Sequence, residues 1–76
     1  MEKQISIVAK NDRSVILAET TLNYSVKHNN EGTLIVPCDF MSEIILDDLV
    51  FNGLLEAVII RDILMYKTTE NEVIIW

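Results

Sequence analysis

The chain has 76 residues, half of them hydrophobic, and its 12 acidic and six basic side chains give a formal net charge of −6. A chain this short reads as a single domain over residues 1–76 and buries only about 60% of its unfolded surface, so little apolar area can be left outside without cost. Its one cysteine, Cys38, excludes an internal disulfide, and with one histidine, His28, it cannot complete a four-ligand zinc site; of the usual supports for a small domain, association with another chain remains.

Met1-Glu2-Lys3-Gln4 carries no basic stretch followed by a long apolar run, so no secretory signal is expected and the location is predicted to be cytoplasmic, in keeping with the lone thiol. Ile5, Ile7 and Ala9 alternate with other residues as in a strand, and Asn11-Asp12 supplies turn residues. Ser14 to Val26 is rich in β-branched and aromatic residues, with Thr20, Leu22, Tyr24 and Val26 on one face, and predicts one long or two short strands. Lys27 to Gly32 is a polar loop, and Thr33 to Val36 is a short strand stopped by Pro37. The first half is therefore an antiparallel meander.

Asp39 or Ser42 can cap a helix in which Phe40, Met41, Ile44, Ile45 and Leu49 share a face and Asn52-Gly53 forms the C-terminal cap, which places a helix at about 40–51. Asp47 and Asp48 near its end oppose the helix dipole, and Asn-Gly is also a hairpin signal, so a strand here is the alternative. Leu54 to Ile60 reads as a strand, and Ile63 to Thr68 with Glu72 to Trp76 reads as a hairpin around Thr69-Glu70-Asn71. The class is α+β: a small, mostly antiparallel sheet of about five or six strands with one helix, with an all-β small barrel as the alternative. From Ile44 to Tyr66 the chain is largely apolar, but Asp47, Asp48, Glu56, Arg61 and Asp62 interrupt it, which excludes a spanning helix and predicts a core, an interface or both.

Charge is placed unevenly. Residues 1–30 hold four basic and three acidic groups, whereas 31–76 hold two basic and nine acidic. Six scattered cations are a poor basis for neutralising phosphates, so direct nucleic-acid binding and an anionic membrane surface are both disfavoured.

Asp39, Glu43 and Asp47 recur every four residues, which on a helix lines up three carboxylates; hard cations favour such oxygen ligands, but no calcium-loop pattern surrounds them and a solvated acidic face is the expectation. Asp47-Asp48 with Glu56 would need a pocket and a raised pKa for acid–base work, and no local feature supplies one. Cys38 has an acidic neighbour rather than an activating cation, and His28 sits in a polar turn. Gly32 and Gly53 are the only glycines, so no phosphate-cradling loop exists. Tyr24 and Tyr66 are expected in the core, and Trp76 packed on the sheet or in an interface. No metal, cofactor or catalytic residue is predicted.

Gly32-Thr33-Leu34, Asp39-Phe40-Met41-Ser42 and Ile60-Arg61-Asp62 resemble the two signatures of the Sm and Sm-like RNA-binding proteins. Ser42 stands where that family has a base-contacting asparagine, Asp62 stands for a glycine, and Ser14 to Glu31 is long for the first hairpin. The resemblance implies a strongly bent five-stranded barrel in a ring, with Met41, Ser42 and Arg61 near RNA.

From the residues themselves, the expected function is that of a small acidic, non-enzymatic interaction module that self-associates, most simply as a dimer, and binds or inhibits a protein partner, as small proteins of phage or mobile-element origin do. Thr33 to Val36 and Glu72 to Trp76 are the expected open edges for self-association. Asp39, Glu43, Asp47, Asp48 and Glu56 form the expected acidic partner-binding face, which in a nucleic-acid mimic would occupy a basic groove.

Overall fold

The alternating start of the chain forms β1 (Lys3–Ala9), which turns back into β2 (Asp12–Leu22) as an antiparallel pair. The computed structural model of the protein describes residues 2–30, 32–69 and 71–75, so the expectation for Trp76 lies outside the described residues. Ile7 pairs with Ala18, Val8 with Ile16 and Ala9 with Asp12; the outer half of β2 thus has extra residues against a short piece of β1 and bulges from it. Asp12 fixes the start of that bulge by accepting from the Ser14 hydroxyl at 2.6 Å and the Ser14 amide at 3.1 Å, which together hold its carboxyl below the usual range.

Ser14 to Val26 resolves into two strands parted by a single residue, Asn23, after which β3 (Tyr24–Asn29) and β4 (Gly32–Pro37) form a second hairpin. The helix predicted at 40–51 is α1 (Phe40–Phe51), followed by β5 (Leu55–Ile60), β6 (Ile63–Thr68) and β7 (Glu72–Ile75). The fold is α+β as its sequence indicates, with seven strands in two antiparallel sheets ordered β2-β1-β7 and β3-β4-β6-β5. The described strands do not close into a barrel, and Asp39-Phe40-Met41-Ser42 begins a helix, so the barrel implied by the Sm resemblance is not the architecture.

Three pairings differ from expectation. β2 and β3 lie in different sheets, so the first half is two hairpins rather than one meander. β6 and β7 do not form a hairpin: β7 crosses to the other sheet and pairs with β1, Val73 opposite Ile7 and Ile75 opposite Ile5. Ile7 and Ile5 face the main core, and that buried partner outweighs a local turn signal. Thr33 to Val36 is no edge either, because β4 lies between β3 and β6, with Ile35 opposite Tyr66. The open edges are β2 and β7 in one sheet and β3 and β5 in the other.

Alternation places Ile5, Ile7, Leu22, Tyr24, Ile35, Leu55 and Tyr66 on the sheet faces that meet α1, and with Leu46 and Leu49 they make the main core. Burying side chains of this size contributes roughly 1.5–3 kcal/mol each. On the opposite faces Val8, Leu34 and Met65 are also buried, which is how a short chain covers both sides of its sheets. No helix among the described residues is long and apolar enough to cross a membrane.

Candidate interaction surface

α1 is fixed at both ends by caps that the sequence supplies locally. Asp39 is the N-cap: its backbone is extended, and Oδ1 accepts from the Ser42 amide at 2.8 Å. That bond, foremost, holds the Asp39 carboxyl below its usual range. Ser42, the other cap candidate, is buried instead, and its Oγ accepts from the Asn23 amide at 2.8 Å. Asn23 also donates from Nδ2 to Asp39 at 3.3 Å and accepts from the Cys38 amide at 2.9 Å. The one residue that separates the two sheets thereby anchors the start of the helix. At the far end Gly53, at φ 79°, donates to Val50 O and Leu54 donates to Leu49 O, the paired bonds of a Schellman motif.

Between those anchors the helix is apolar on every side. Ser42, Leu46 and Leu49 face inward, with Ile45 and Val50 partly covered. Phe40, Met41 and Ile44, expected to share one face with Ile45 and Leu49, are instead exposed, as is Phe51. Phe40, Ile44 and Phe51 are four and then seven residues apart, which sets them in one stripe on the outer side, with Asp47 on one flank and Asp48 and Met41 on the other. Ile59 is also exposed, on edge strand β5, and by register it shares the sheet face of Leu55 and Tyr66 that carries α1.

The five carboxylates expected to form one acidic face have different positions and duties. Asp39 is engaged in the cap. Asp47 accepts from the hydroxyl of the fully buried Tyr66 at 2.5 Å. Burial, then that bond, then the negative charge of Asp47 and Glu43 push the Tyr66 phenol well above its ordinary value. Glu43 is half-buried on that side, Asp48 is exposed on the other flank of the stripe, and Glu56 lies on β5 opposite Lys67. Asp47 and Asp48 flank the apolar stripe and Glu43 lies beyond Asp47, whereas Glu56 faces the other side of β5 from Leu55 and Ile59, so the five do not make a continuous strip of charge. Among the described residues no group of three or more His, Cys, Asp or Glu side chains is placed to hold a metal ion.

A second exposed apolar region is the bulged part of β2, where Val15, Ile16 and Leu17 are all exposed on an open edge. Its neighbour Arg13 reaches across to Glu72 of β7 at 3.0 Å. With Arg13 exposed and Glu72 partly exposed, that ion pair contributes about 0–1 kcal/mol. Arg13 and Glu72, with Gly32, Thr33, Lys67, Thr68 and Val73, line a concavity of about 270 Å³. A depression of about 570 Å³ lies beside Ala9, Lys10, Asn11 and Asn71. Cys38 is exposed with Sγ 3.6 Å from the Ser25 hydroxyl, while His28 contacts Thr33 at 3.3 Å at the other end of the β3–β4 hairpin. By register Cys38 lies opposite Asn23 and His28 opposite Thr33, so a separation of five strand residues, about 16 Å, keeps the two apart.

No family model matches the chain, and no curated protein or solved structure matches it. The outer stripe of α1 is what sequence reasoning missed. Its signal was present in the even distribution of apolar residues around the helix, a pattern that belongs to helices covered on all sides.

Proposed function

We propose that this protein is a small, non-enzymatic interaction module that binds a protein partner through the outer side of α1, blocking or tethering that partner. The observation that carries this reading is the helix itself: it is apolar all round, its inner side fills the core, and its outer side presents two phenylalanines, a methionine and an isoleucine to solvent. Exposed apolar patches of several hundred Å² mark interaction surfaces on small proteins. Asp47 and Asp48, on the two flanks of that outer side, supply a rim, which orients and selects a partner more than it adds affinity. A cytoplasmic setting accords with the exposed lone thiol of Cys38. The test compares the native chain with Phe40→Ser/Phe51→Ser as bait in the source cell. A protein retained by the first and lost by the second is the expected result, and an identical set on both contradicts the reading.

Self-association is a second reading, favoured by a separate observation: Val15, Ile16 and Leu17 are exposed on the open edge strand β2. An edge with unpaired backbone groups and apolar side chains invites another strand, although the bulge there turns part of it away. Light scattering after gel filtration should give a dimer that Ile16→Lys returns to monomer. A monomer across the micromolar range ends this second reading and leaves the first intact.

A further inference from the structure

The outer side of α1 exposes 71% of Phe40, 68% of Met41, 46% of Ile44 and 88% of Phe51. With an aromatic side chain presenting about 150–250 Å², these fractions amount to on the order of 500 Å² of apolar surface. Two copies packed stripe to stripe would cover about 1,000 Å², which only just reaches the size of a specific interface. Area therefore does not decide the occupant, and charge does. α1 carries no lysine or arginine, while Glu43, Asp47 and Asp48 all lie on it. A two-fold contact across this helix would set Asp47 and Asp48 of one copy against those of the other with no cation to separate them, and like charges brought together in this way cost several kcal/mol.

We infer that the occupant of this surface is an amphipathic helical segment of another protein, with an apolar stripe bordered by lysine or arginine. The inference rests on the reading of α1 as the docking side and adds the chemistry of what docks. A helix suits the shape, since the stripe along α1 is a ridge three turns long, which packs against the grooves of a second helix. Phe40, Ile44 and Phe51 supply the anchors. Asp48 on one flank and Asp47 on the other meet the partner's cations at the partly desolvated rim, where such pairs are worth more than on open surface. Asp47 is held in place there by the Tyr66 hydroxyl, so its charge is oriented before any partner arrives.

The probe is a set of three synthetic helical peptides, each about four turns long, sharing one leucine stripe and flanked by lysine, glutamine or glutamate, titrated into the full chain with affinity read by calorimetry. The lysine peptide should bind at least about tenfold more tightly than the glutamine peptide. Its affinity should fall as salt is raised, drop on Asp48→Asn, and be lost in Phe51→Ser. Phe51 is almost wholly exposed, so that variant keeps its fold, which circular dichroism verifies. Equal binding of all three peptides, abolished by Phe51→Ser, overturns the inference and leaves the docking side standing. Binding of the lysine peptide that Phe51→Ser does not weaken overturns both, because attraction is then charge alone. A chain dimer in sedimentation that Phe51→Ser dissolves makes a second copy the occupant and overturns the inference, as does failure of all three peptides to bind.

Discussion

The two sides of α1 have nearly the same hydrophobicity and opposite fates. Leu46 and Leu49 are packed under the helix against Leu22, Tyr24 and Leu55, whereas Phe40, Ile44 and Phe51 meet no such cover. A sheet offers one face to a helix, so a helix on a single layer can bury only one side. The difference shows that the apolar excess of this chain divides into a part that holds the fold and a part that does not, and that the second part lies together in one stripe.

Substitutions can break or sharpen that contrast, and the largest effect belongs inside. Leu46→Ala empties a fully buried position and should cost about 2–5 kcal/mol by urea unfolding, whereas the outward Ile44→Ala should cost far less. Comparable losses for the two would erase the distinction between the sides. Ser42→Ala leaves the Asn23 amide without its acceptor at the junction of sheets and helix and should cost about 1–3 kcal/mol; no change would mean that Asn23 is not the anchor of the helix start.

Tyr66→Phe should cost about 1.5 kcal/mol near neutral pH, because it removes a hydrogen bond to a carboxylate while leaving Asp47 exposed to water. Its pH dependence is more telling. The Tyr66 phenol titrates higher in the folded state than in the unfolded chain, so the stability it contributes is whole below the unfolded value near pH 10 and is lost as pH rises beyond it. Alkaline destabilisation should therefore be weaker in Tyr66→Phe than in the native chain when melting is followed from pH 9 to 11; parallel curves would contradict the burial of that hydroxyl. The smallest effect is expected outside, where Phe51→Ser should change stability by no more than about 0.5 kcal/mol.

Much of the fold was legible because local signals agreed with the tertiary result. The Asp39 cap and Asn52-Gly53 bracket α1 at the positions their chemistry requires, and the even-numbered face through Thr20, Leu22, Tyr24 and Val26 persists across the break at Asn23. What was hidden depended on partners distant in sequence. β7 chooses β1, some 65 residues away, over its neighbour β6. The true hairpin in this region is β5–β6, closed by Arg61 and Asp62 at φ 52° and 65°. That geometry usually takes Asn-Gly, so its residues gave no warning. The acidic set was legible as charge but not as arrangement, since the Asp39 cap bond depends on local chain geometry and the Asp47 bond depends on Tyr66, 19 residues away. The apolar stripe escaped because spacing alone cannot say which side of an evenly apolar helix meets the sheet.

The most direct test of this division is the urea unfolding midpoint of Phe40→Ser/Phe51→Ser beside that of the native chain. If the outer stripe plays no part in holding the fold, the two midpoints should coincide to within about 1 kcal/mol of stability. A loss of about 3 kcal/mol or more, the size expected when buried phenylalanines are truncated, would place those side chains in the core and remove the surface on which the proposed interaction depends.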